Sequence, residues 1–92
     1  MSAQVAYENK LSPSMRGAID HAIKHSGGNP DNAVLVRFPG GFWSNREWKL
    51  HQGTYWGTTT IEAIVRRGAG EYVKHQTRKD GSTFPIEMKV TL

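Results

Sequence analysis

The chain has 92 residues, no cysteine, and 12 Lys/Arg against 8 Asp/Glu for a net charge of +4. That length fits one modest domain whose core consumes most of its apolar side chains, which argues against a cofactor pocket. Without thiols, disulfide frameworks, thiolate nucleophiles and Cys-based zinc sites are excluded. The positive charge favours polyanionic partners by long-range attraction, yet it is evenly spread: residues 1–58 and 59–92 each carry six basic against four acidic side chains.

Residues 1–10 are polar and aperiodic, and read as a mobile arm preceding a single domain over 11–92. The arm has no basic start followed by an apolar run, and the longest aliphatic stretch is Ala33-Val34-Leu35-Val36. A cytoplasmic protein that neither is secreted nor spans a membrane is therefore expected. The first helix opens at Leu11-Ser12-Pro13, where Ser12 can cap it and Pro13 takes the first helical position, which needs no amide donor. Met15, Ala18, Ile19, Ala22 and Ile23 recur at the spacing of a helix lying on a core, and Gly27-Gly28 stops it.

The turn formers Gly28-Asn29-Pro30-Asp31-Asn32 deliver the chain into a strand, Ala33 to Phe38, which Pro39-Gly40-Gly41 ends or bends. Residues 42–57 hold all three tryptophans without a clean period and read as an aromatic-rich connection pinned to the core by Trp43, Trp48 and Trp56, with room for a helical turn near Asn45. A second helix of about nine residues follows, with Thr59 as its cap, Glu62 completing a capping box, and Gly68 as its stop. Residues 71–78, a turn at 79–82 and a return strand to Leu92 form a hairpin. In the return strand Phe84, Ile86, Met88, Val90 and Leu92 alternate with polar positions and Pro85, and Pro85 requires an unpaired side at the strand's start.

The candidate chemistry is sparse. His21 and His25 stand four apart on a helix, a spacing that serves a metal, but no third ligand accompanies them. No nucleophile elbow is present, and the Gly40-Gly41 and Gly68-Ala69-Gly70 groups lack the other residues of a phosphate-binding loop. The expectation is a protein without catalytic residues, metal or cofactor, which works by binding. The aromatic cluster between Phe38 and Trp56, interleaved with Arg37, Arg46 and Lys49, serves either the core or a stacking platform for single-stranded nucleic acid, and the small core favours the first.

The run Thr58-Thr59-Thr60-Ile61-Glu62-Ala63-Ile64-Val65-Arg66-Arg67-Gly68, followed by a basic hairpin, resembles the recognition helix and wing of winged helix-turn-helix domains, with the first helix resembling that family's first core helix. The resemblance covers residues 11–28 and 58–92. It departs from the family at 39–57, where a Gly- and Trp-rich stretch stands in place of the positioning helix. It implies an α+β fold, two helices packed on a small antiparallel sheet with a C-terminal β-hairpin, winged-helix-like. It further implies a DNA-binding transcriptional regulator, often a symmetric homodimer, with Thr58, Thr60, Glu62, Ala63, Arg66 and Arg67 toward the groove and Lys74, His75, Arg78 and Lys79 on phosphates. The alternative is a protein-binding module, such as a small phage or mobile-element inhibitor of a host assembly, with an exposed aromatic edge around Phe42 and Trp43 as its anchor.

Overall fold

The computed structural model describes residues 11–48 and 54–91. The expected arm, together with Lys49 and Leu92, lies outside them. Helix α1 (Pro13–Lys24) begins as its sequence dictates: the Ser12 hydroxyl accepts from the Met15 amide, and Pro13 supplies the first turn. Met15, Ala18, Ile19 and Ala22 are buried and Ile23 is partly so. The helix closes where the Gly28 amide reaches the Ile23 carbonyl, with Gly27 and Gly28 both left-handed.

A short 3-10 turn (Pro30–Asn32), capped by Asn29, leads into strand β1 (Val34–Phe38). Then come β2 (Phe42–Ser44), β3 (Trp56–Gly57), helix α2 (Thr58–Arg66), β4 (Gly70–Thr77) and β5 (Thr83–Val90). The molecule is thus an α+β domain with a C-terminal hairpin. Among the described residues five strands form one antiparallel sheet in the order β3-β2-β1-β5-β4. Leu35 and Trp43 with Met88 and Val90 meet Ile19, Ile61 and Ile64 in one core. Both helices therefore lie on the sheet face that Leu35 presents, and strand alternation places Arg37 on that same face.

Residues 42–57 are more than a connection. Trp43 pairs with Arg37 on one side and Trp56 on the other, so the segment adds two strands to the sheet. Strands of three and two residues are too short to show a period, and only long-range pairing defines them. Near Asn45, a turn is held by its Oδ1, which accepts from the Glu47 amide.

The capping box is also corrected. Gly57 is the N-cap of α2 and no side chain caps the helix. Pairing of Gly57 with Phe42 fixes where the chain turns helical, two residues earlier than Thr59 would. The Thr58 hydroxyl instead donates to the Gly41 carbonyl (3.0 Å), and Glu62 is exposed.

Pro85 sits in an inner strand, but β1 reaches only Glu87 to Lys89 of β5, so the proline pairs with His75 alone and its other side needs no donor. Beyond that point the hairpin projects from the body, with residues 73–83 all exposed. Among the described residues no helix is long and apolar enough to cross a membrane.

Candidate nucleic-acid interface

Helical spacing divides the expected α2 residues between two ridges. Ile61 and Ile64 point into the core. Thr58, Glu62 and Arg66, four apart, run along one flank, while Thr60, Ala63 and Arg67 run along the other. The first flank faces the sheet: burial raises the Tyr72 pKa on β4, the Glu62 carboxylate adds to the rise, and the Arg66 guanidinium opposes it. Arg66 and Arg67 are exposed at the C-terminal end of the helix, where cations suit the negative end of the dipole.

On the hairpin, Lys74, His75, Arg78 and Lys79 are all exposed. Its tip is set by the sequence. Gly81 adopts a left-handed φ of 90°, and the Asp80 carboxylate accepts from both the hydroxyl (2.6 Å) and the amide (2.9 Å) of Ser82. Those bonds hold the Asp80 carboxyl below its ordinary pKa, so Asp80 stays anionic beside Lys79 at neutral pH.

Between the first flank of α2 and the turn end of the hairpin lies a cleft of about 170 Å³. Thr58 and Glu62 form its helix side, and Arg37, Trp43, Arg78, Phe84 and Pro85 form the rest. The Arg78 and Arg37 guanidinium carbons sit 4.3 and 4.9 Å from the centroid of the Phe84 ring. Each such contact contributes about 0.5–1 kcal/mol at an exposed site, enough to orient the side chain without neutralising it. Among the described residues the only ion pair is Arg46 with Glu87, so neither arginine of the cleft has a carboxylate partner. The Trp43 side chain is fully buried, and its indole N–H has no acceptor among the described residues, a state that costs about 1–3 kcal/mol.

Of the expected residues, the cleft unites Thr58, Glu62 and Arg78. Thr60 falls on the opposite flank, and Lys74, Lys79, Arg66 and Arg67 lie outside the cleft wall. Arg37, Trp43 and Phe84 were not foreseen as a group. Two signals for them existed in the sequence: Arg37 interrupts the core-facing side of a strand two residues after Leu35, and Phe84 stands beside the turn with no apolar neighbour in the hairpin tip.

The opposite sheet face carries a second aromatic group. Phe38 stacks on Phe42 at 5.4 Å, Trp48 lies against both, and Tyr55 meets the Phe42 edge. Tyr55 is 58% exposed, whereas Trp43 is buried and cannot anchor a partner. Arg46 is tied to Glu87.

The His21 and His25 rings meet tilted at 46° with centroids 4.2 Å apart, and His21 also packs against Trp56. Asn45 Nδ2 donates to His21 Nε2 (2.8 Å), fastening α1 to the turn after β2. Neither a family model nor a curated protein nor a solved structure matches this chain, which leaves the residues themselves as the ground for its function.

Proposed function

We propose that the chain is a small non-enzymatic nucleic-acid-binding domain, a DNA-binding regulator of winged-helix type, that uses the projecting hairpin and α2. The observation that supports this most is the pair of guanidinium groups, Arg37 and Arg78, oriented on Phe84 at the turn end of an exposed basic hairpin and, among the described residues, free of carboxylate partners. Around it Arg66, Arg67, Lys74 and Lys79 join them against Glu62, Glu71 and Asp80, an excess of the sign that attracts phosphate backbones.

Fluorescence anisotropy against random duplex and single-stranded DNA at two salt concentrations tests it. Binding should weaken with salt, and Arg66→Ala with Arg67→Ala should reduce the logarithmic salt slope by about 2, near 0.9 per phosphate contact. Unchanged affinity in the double variant would remove α2 from the interface.

The exposed Tyr55, continuous with Phe42 and Phe38, favours one other reading, a protein partner docked on the open sheet face. Failure to bind DNA even at low salt, with capture of a partner lost in Tyr55→Ser, supports that reading instead.

A further inference from the structure

We infer that the cleft between α2 and the turn end of the hairpin is a phosphate-binding site, in which Arg37 and Arg78 hold the phosphate group. The inference rests on the nucleic-acid reading for the source of that phosphate, and it adds a residue, Arg37, that lies outside both the helix ridge and the hairpin.

Three features carry it. First, two guanidinium groups converge on one ring in a concave site, and planar donors of this kind recognise phosphate oxygens bidentately. They reach that site from different places, Arg37 from β1 and Arg78 from just past the end of β4, so the sheet brings together what the sequence separates by forty-one positions. Second, the volume is adequate: about 10–15 Å³ of such space accommodates one water, and the cleft's 170 Å³ admits a phosphate with part of a sugar.

Third, the electrostatics are net favourable. Among the described residues Glu62 is the one carboxylate lining the cleft, where two positive charges face it. Thr58 places the start of α2 at the wall, where no side chain caps the helix, and its positive end adds about half a charge. Trp43 lies behind the wall, fully buried, so its indole N–H reports a change in the cleft without touching the ligand.

The test is a titration of the full chain with inorganic phosphate, followed by proton–nitrogen NMR at the arginine Nε–H and tryptophan Nε1–H groups, with sodium chloride at matched ionic strength as control. Saturable shifts are expected at Arg37, Arg78 and Trp43, with Trp48 and Trp56 unmoved. Arg37→Gln and Arg78→Gln should each weaken binding about 10-fold, as loss of a hydrogen bond to a charged group does, and Glu62→Gln should tighten it. Arg78 is exposed, so its variant keeps the fold even where Arg37→Gln does not. Shifts that match those in chloride, or an Arg78→Gln variant that binds as wild type, overturn the site.

A second arm compares a short oligonucleotide bearing a 5′-phosphate with its 5′-hydroxyl counterpart. Tighter binding of the first assigns the cleft to a terminal phosphate, and equal binding sensitive to Arg78→Gln assigns it to a backbone phosphate. Response to inorganic phosphate with no oligonucleotide binding removes the nucleic-acid reading and keeps the site. Oligonucleotide binding with no response at Arg37 and Arg78 does the reverse.

Discussion

Gly70 is buried where Ile64 of α2 packs against the hairpin, and an alanine there has nowhere to put its methyl group. A Cβ on Gly70 would collide with the Met88 sulfur and lie 3.2 Å from the Lys89 carbonyl oxygen and 3.3 Å from Ile64 Cγ2. Met88 and Ile64 are both fully buried, so neither can swing into solvent to make room. The Gly70 backbone is not left-handed, so the penalty is steric alone. Overpacking of this kind costs about 1–3 kcal/mol, and the lower chain entropy of alanine offsets about 0.5–1 of it.

A net loss of about 1–2 kcal/mol lowers the Tm of a domain this size by about 5–15 °C. Thermal unfolding followed by circular dichroism reads it directly. Gly17→Ala is the matched control: its Cβ would sit 3.9 Å from the Trp56 ring, an ordinary contact, and in mid-helix alanine gains about 0.8–1 kcal/mol over glycine. The two substitutions should therefore move Tm in opposite directions. A Gly70→Ala protein that melts within about 2 °C of wild type would refute this account of how α2 is seated.

The His21 imidazole is held below its ordinary pKa of 6.5 first by burial and then by the neighbouring His25 and Lys24 charges. The folded state therefore takes up this proton less readily than the unfolded chain, so its stabilising contribution is complete above pH 6.5 and declines below it. Urea midpoints should fall between pH 7.5 and 5.5, and His21→Gln should flatten that fall; equal slopes in both proteins count against it. Thr58→Val removes the donor to the Gly41 carbonyl and should cost about 1 kcal/mol in urea unfolding, whereas Thr59→Val, at an exposed position with no such bond, should cost less.

Helix α1 was legible because each of its signals is local: cap, proline, stripe and glycine stop all lie within seventeen residues and agree. The hairpin was legible for the same reason. The start of α2 was not, because three successive threonines offer equivalent caps and the choice among them is made by Gly57 pairing with Phe42, fifteen residues away. Strands β2 and β3 were hidden by their shortness and by a composition that suits a connection equally well. The cleft was half legible: Arg78 and Glu62 announce themselves on a hairpin and a helix, but Arg37 reads as a polar interruption of a strand until the sheet order places it beside Phe84.

That sheet order has a consequence for how the chain comes together in time. Strand β5 is the last in sequence, yet it lies between β1 and β4 and hydrogen-bonds as far back as Ala33, whose carbonyl accepts from the Val90 amide. During synthesis α1 and β1 emerge before β5, and their apolar faces stay uncovered until Met88 and Val90 arrive beneath them. The domain therefore reaches its native state only after residue 90 has cleared the ribosome, in one late step that joins the two halves of the sheet across β1 and β5.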